Sequence, residues 1–371
     1  MPILNGHNGH NGHNGHNGHN GHNGHNGHGA TDVWPFEAGD LMTTRDGIVG
    51  AWNPPPNHPK ERNFASPLNM TAWGSRERGL MIDTELFHRL GFHASTDMVS
   101  VLHVNLEADT KTGGTIGRYN PLMAVTRPSM AKFQDQLDYL RQYADLRIDR
   151  ASEIITQLTL PWGFLGSIAY LNPDHTPKTV ELLSAAHRLA VYVEMRFKHI
   201  LACRRPIEFS PQVQPIIDTP LHGTLPSGHS TESFTLAYVF SELLAQSGHA
   251  VYSDPSWREQ LMRLASRIAI NRTVAGVHFP IDSAAGCAIG LTLGKYMVGR
   301  CGVIDKYTAW AFDGNKFEDD FEWRPMASAI VDEQTPISTK TGLSAGQSHN
   351  LIGVNDSALT WLWDEAVKEW K

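Results

Sequence analysis

From residue 129 onward, apolar positions recur at steps of three and four, the spacing that lines one face of an α-helix. The segments SMAKFQDQLDYLRQYADLR (129–147) and KTVELLSAAHRLAVYVEMRFKHILA (178–202) read this way, the second through Leu182, Ala185, Ala186, Leu189 and Val193. Further helices are predicted over 230–247, 255–269 and 280–299, the last opened by Pro280, whose fixed φ suits a first helical turn. Together they predict a mainly α fold with a helical bundle core over 129–301 and minor β structure. Residues 31–128 are rich in Pro, Gly, Asn and Trp, with WNPPPNHP at 52–59 a loop, and predict an irregular N-terminal arm. One strand stands out there. Leu102, Val104 and Leu106 alternate with His103, Asn105 and Glu107, as in a strand whose apolar side faces inward. The tail, 302–371, reads as Trp-containing loops and a final helix, SALTWLWDEAVKEW, packed on the core.

The first 30 residues change the picture only by subtraction. Asn-Gly-His repeats eight times between Asn5 and His28 without an apolar residue, so nothing there offsets the entropy of ordering, and a disordered tail is expected. Its imidazoles suit weak chelation of transition metals, as would those of a tag-like or slippage-derived repeat. The net charge of −7 over 371 residues opposes a general nucleic-acid binder, which needs a dominant basic surface. No run of about 18 apolar residues or secretory signal is visible, so no membrane role is expected and a cytoplasmic location is the default. A homo-oligomer is compatible with all of this. Cys203, Cys287 and Cys301 fit neither a zinc site nor a disulfide framework and read as reduced core thiols.

Three short stretches carry candidate chemistry. KHILACRRP brings Lys198 and Arg205 to a predicted helix end; LHGTLPSGHSTESF sets His222 and His229 around the Pro226-Ser227-Gly228 turn at a helix start; NRTVAGVHFPID places Arg272, His278 and Asp282. Each alone also suits an ordinary solvated helix end or loop. Together they supply three cations, a hydroxyl, backbone amides at a helix N-terminus and two histidines, with Asp282 one helical turn beyond His278 and able to orient it. That inventory suits an enclosed tetrahedral oxyanion on which chemistry is done.

Lys198…Arg205-Pro206, Pro226-Ser227-Gly228-His229 and Arg272…His278…Asp282, in that order within 85 residues, resemble the three-part signature shared by vanadium-dependent haloperoxidases and the type 2 phosphatidic acid phosphatase superfamily. The resemblance implies a helical bundle of the haloperoxidase/acid phosphatase type over roughly 130–300. It implies that Lys198, Arg205 and Arg272 neutralise oxygens of the anion, that Ser227 and the Gly228 amide donate to them, and that His278, oriented by Asp282, is the axial group. His278 would be the metal ligand to vanadate in a haloperoxidase and the nucleophile in a phosphatase, with His229 the acid–base partner in either. Vanadate and phosphate share shape and charge, so phosphate can take the site when vanadate is absent, and the signature does not choose between the chemistries. His222 resembles the histidine found there in bromoperoxidases. Asn271 departs from the serine common before the third-motif arginine, and Met195 from the Trp or Arg common in haloperoxidases. The reading taken from the resemblance is a vanadate-dependent haloperoxidase acting on hydrogen peroxide and halide, bromide or iodide. The alternative is a soluble phosphatase hydrolysing small phosphomonoesters through a phosphohistidine. An oxyanion-binding module without turnover is a third reading, disfavoured because binding alone does not need His229 or the His278–Asp282 pair.

Overall fold

The computed structural model describes residues 38–51, 53, 56–335, 337–351 and 358–371. The Asn-Gly-His repeat lies outside the described residues, as do three positions of the 52–59 loop. The chain divides into two compact units between Arg76 and Glu77. In the first, helix α1 (Ala38–Val49) is followed by a 3₁₀ turn, Pro67–Ala72, whose first turn is capped by the Ser66 hydroxyl.

The second unit carries the expected bundle. Its helices are α2 (Ser75–Phe87), α3 (Met130–Asp135), α4 (Leu137–Tyr143), α5 (Arg147–Thr156), α6 (Trp162–Ile168), α7 (Pro177–Leu201), α8 (Pro206–Phe209), α9 (Gly228–Ser247), α10 (Ser256–Val274), α11 (Pro280–Arg300), α12 (Arg324–Ile330) and α13 (Ala358–Lys368). The single helix predicted over 129–147 is instead broken into α3, α4 and a 3₁₀ turn that leads into α5. α9 is the central helix, packed against α7, α10, α11 and α13. Every residue of α11 is buried, as befits a helix apolar nearly all round. Its stripe Gly286, Gly290 and Gly294 faces α9 so closely that a Cβ on Gly286 would sit 2.7 Å from the Ser227 carbonyl oxygen. Side chains cross the same seam, with Ser230 Oγ donating to the Ser283 carbonyl at 2.7 Å and Thr235 Oγ1 to that of Gly290 at 3.1 Å. The three cysteines are free and buried.

Strand content exceeds the minor share expected. A five-stranded sheet runs β1 (Leu90–Ala94), β2 (Met98–Ala108), β3 (Thr115–Thr126), β4 (Lys306–Phe317), β5 (Thr341–Asn350) in that order. The segment read as an irregular arm therefore holds two α-helices and three strands, and the tail read as loops and a final helix also holds two strands and α12. β3 and β4 pair in parallel, Met123 opposite Trp310, while the other pairs are antiparallel. The sheet thus joins the two ends of the bundle's sequence, and α11 lies against it.

The strand predicted at 102–107 forms, but both of its faces are covered up to Asn105. Val99, Val101, His103, Val104 and Asn105 are buried, while Leu106 is 46% exposed. His103 is only 3% exposed; its Nδ1 meets the Tyr296 hydroxyl of α11 at 2.8 Å and its Nε2 the Asn105 side-chain oxygen at 2.7 Å. Satisfying both ring nitrogens is what permits the polar side to face inward. Burial, helped by the nearby Arg300, Arg89 and His349 and opposed by the Asn105 bond, pushes His103 down to about 4. The folded state then binds fewer protons than the unfolded one between the unfolded value near 6.5 and the folded one near 4. The resulting stability is full above that window and is lost as pH falls through it, to the extent of about 3 kcal/mol. In His103→Gln, less stable than wild type at pH 7, that gap is expected to narrow by about this much at pH 4, as urea denaturation at the two pH values would measure. A pH-independent gap would refute the assignment.

Candidate active site

Each signature stretch arrives at a helix terminus. Lys198 is in the last turn of α7, which stops where Ala202 turns left-handed at φ 48°. Arg205 precedes α8, where its N–H donates to Glu208 Oε2 at 2.7 Å and Pro206 takes the first helical position. Ser227 is the N-cap of α9, yet its hydroxyl makes no capping bond. Arg272 lies in the last turn of α10, and Asp282 in the first turn of α11. The helix ends converge because α9 touches all three partner helices.

Arg205 makes the most contacts. Its Nε donates to the His222 carbonyl at 3.0 Å, Nη1 to the Val277 carbonyl at 2.8 Å and to His278 Nε2 at 3.0 Å, and Nη2 to His222 Nδ1 at 3.1 Å. Arginine has no acceptor, so His278 Nε2 must accept, and the ring proton must sit on Nδ1. Nδ1 faces Asp282 Oδ2 at 3.1 Å and Thr224 Oγ1 at 3.2 Å. Asp282 Oδ2 is itself held by the Phe279 N–H at 2.9 Å and by the Thr224 hydroxyl. Burial first, then Arg205, Lys198, His229 and His222, hold His278 well below the ordinary histidine range, and burial lifts Asp282 to about 6. His278 is therefore a neutral imidazole whose Nε2 lone pair points among cations.

Lys198 is buried, donates to the Pro226 carbonyl, and is pushed by burial down to about 8. Arg272 is tied at Nη2 to the Ile154 carbonyl at 3.2 Å and to Gln157 Oε1 at 3.1 Å. Its Nε and Nη1, with Ser227 Oγ, are buried polar atoms lacking a protein partner. Burial without a partner costs each about 1–3 kcal/mol, a cost that a bound acceptor would offset. His229 Nε2 donates to the Gln157 carbonyl at 2.9 Å, and burial with the Arg272 charge pushes the ring down to about 4. Hydrogen bonds thus tie His222 and His278 to Arg205, Asp282 to His278, Ser227 to Asp282 through the main chain and, by way of Gln157, His229 to Arg272.

The PAP2 superfamily family model matches residues 181–300, the span from α7 to α11 that carries every one of these groups. Residues 181–300 form a PAP2 superfamily domain. Over 109 residues the chain is 28% identical to decaprenylphosphoryl-5-phosphoribose phosphatase of Mycobacterium tuberculosis, in both strain CDC 1551 / Oshkosh and strain ATCC 25618 / H37Rv. The match covers 29% of this chain and 51% of each relative, so the chain spans about half the length of the curated relatives it matches. A solved transmembrane PAP2-type phosphatidylglycerolphosphate phosphatase from Bacillus subtilis is 16% identical, with 46% of this chain and 96% of that chain covered, at a TM-score of 0.28. That likeness carries no weight here. Among the described residues no helix is long and apolar enough to cross a membrane.

Several groups around the PAP2 site were not singled out in the sequence. Glu194, one turn before Lys198, is buried beside Gly228: a Cβ there would sit 2.6 Å from its Oε1. Burial and the neighbouring Glu232 hold its carboxyl well above the usual carboxylate range, while Glu232 has His187 Nε2 at 3.3 Å from its Oε2. The i, i+4 spacing to Lys198 is a signal that could have found Glu194. Thr224 and Gln157 sit in loop and helix-end positions with no such spacing.

Proposed function

We propose that the chain is a phosphatase that cleaves a phosphomonoester through a phosphohistidine on His278. The observation that carries this reading is the neutral imidazole with Nδ1–H directed at Asp282 and the Nε2 lone pair directed into the cation cluster. The likeness to a phosphatase supports it. Attack by Nε2 on phosphorus requires Arg205 Nη1 to move from that lone pair to a phosphoryl oxygen, with Lys198, Arg272, Ser227 and the Gly228 amide taking the remaining negative charge. The P–O bond breaks, and the leaving oxygen takes a proton from His229 Nδ1; the ring, neutral in the free protein, takes up that second proton when the negative charge of the phosphoester offsets Arg272, while Nε2–H stays on the Gln157 carbonyl. Neutral His229 then removes a proton from water as it attacks the phosphohistidine, releasing phosphate and restoring His278.

A second reading, the vanadate-dependent haloperoxidase, draws on one specific contact: His222 Nδ1 lies 3.1 Å from Arg205 Nη2, which puts another imidazole at the anion site. The orphaned donors fit vanadate as they fit phosphate, and Lys198, Arg205, Arg272, Ser227, Gly228 and His278 would hold it. Bound vanadate would supply peroxide activation for halide oxidation. Paired assays on the full chain, with and without orthovanadate, separate the readings. The phosphatase reading expects phosphate release from p-nitrophenyl phosphate, inhibited by orthovanadate, and no bromide or iodide oxidation. Halide oxidation by hydrogen peroxide that appears only with orthovanadate would replace it with the second.

A further inference from the structure

We propose that Gln157 is a positioning residue that sets Arg272 and His229 in one frame; the inference rests on the oxyanion reading of the site. Gln157 follows α5 and is 1% exposed. Its side-chain oxygen accepts from Arg272 Nη2 at 3.1 Å and from Asn271 Nδ2 at 3.0 Å, and its Nε2 donates to Glu153 Oε1 at 2.9 Å. Its main-chain carbonyl takes the His229 Nε2 proton. One residue thus holds an anion-site arginine by its side chain and the acid–base histidine by its backbone.

The rest of the network stiffens this node. Asn271, where the resembling families commonly have serine, also donates to Glu153 Oε1 at 2.9 Å, and its own oxygen accepts from Arg150 Nη1 at 3.0 Å. Glu153 is braced in turn by Arg267, at 2.7 Å from Nη2. The amide at 271 therefore serves to lock α10 onto α5. With Nη2 fixed, the guanidinium of Arg272 keeps Nε and Nη1 without protein partners, so the tether decides where those donors point. Removing the tether leaves the charge in place but frees its direction, and a fixed fork is what makes an arginine specific for an oxyanion.

The test is calorimetric titration of the full chain with inorganic phosphate, which needs no turnover, with melting temperature as the fold control. Gln157→Met removes the acceptor, and Gln157→Glu keeps an acceptor while adding a charge that neutralises Arg272. Expected are Kd values weaker by about fivefold for Gln157→Met and about tenfold or more for Gln157→Glu, with Arg272→Ala weaker still. Gln157→Met added to Arg272→Ala should weaken binding no further, because it acts through that arginine. Histidine NMR should keep the His229 proton on Nε2 in both Gln157 variants, since its acceptor is main chain. Wild-type affinity in both folded variants, or a Gln157→Met loss that adds in full to that of Arg272→Ala, would overturn the inference while leaving the phosphate site intact. If wild type and Arg272→Ala bind phosphate alike, the reading of the site fails together with it.

Discussion

Replacing His278 with alanine is expected to lower phosphate release by at least about 10⁴-fold, because it removes the imidazole nitrogen that Arg205 and Asp282 hold for attack on phosphorus. Arg205 and Arg272 have no lone pair to give, Lys198 is mostly protonated at neutral pH, and His229 serves as the acid–base group through Nδ1 with Nε2 held by the Gln157 carbonyl. The loss should fall on kcat rather than on phosphate affinity, since the cations and the Ser227–Gly228 turn remain. Acid-stable and acid-labile phosphoenzyme can be separated by quenching with a labelled substrate: wild type should trap an acid-labile phosphohistidine and His278→Ala none. A folded variant that retains a tenth of wild-type turnover would remove His278 from the mechanism. The same substitution leaves Asp282 Oδ2 with the Thr224 hydroxyl and the Phe279 N–H, so the start of α11 should keep its place and the melting temperature should move by only a few degrees.

The largest effect on stability is expected at Gly290. A Cβ there would sit 2.5 Å from the Thr231 carbonyl oxygen and 2.9 Å from Phe234 Cβ, and that carbonyl, in the first turn of the central helix and bonded to Thr235 Oγ1 at 2.8 Å, cannot step aside alone. Gly290→Val should therefore cost about 3 kcal/mol or more through overpacking, against a small gain in helix propensity. For a unit of this size that amounts to a fall of roughly 5 °C or more in melting temperature. Gly163→Ala is the control, since nothing lies within 4 Å of a Cβ at that helical position, and it should be neutral or slightly stabilising. The seam also sets the site: the Ser227 carbonyl packs on Gly286, and the Ser227 N–H donates to the Asp282 carbonyl at 2.9 Å. Whatever fraction of Gly290→Val folds should show weaker phosphate binding as well. Equal melting temperatures for Gly290→Val and Gly163→Ala would contradict the close packing of α9 on α11.

What the sequence determined by itself is what short-range order can encode. The helices α7, α9, α10 and α11 follow from apolar residues three and four apart, with Pro177 and Pro280 at their starts, because the helix period is local. The grouping of Lys198, Arg205, His229, Arg272 and His278 was legible because three fixed spacings sit at helix ends, where a short motif and its backbone geometry travel together. The sheet was not legible in that way. Pairing of Met123 with Trp310 joins positions far apart in the chain, and no local pattern announces a distant partner; β5, TGLSAGQSHN, has too few apolar residues to alternate at all. Alternation at 102–107 marked a strand and could not say that its polar side would be covered as well, since His103 and Asn105 are buried where the Tyr296 hydroxyl of α11 stands opposite to donate to the ring. Tertiary structure alone also decided the supports of the site. Gln157 reaches Arg272 and His229 from a separate helix, and the Glu194 carboxyl is raised above the usual carboxylate range only because the folded chain buries it.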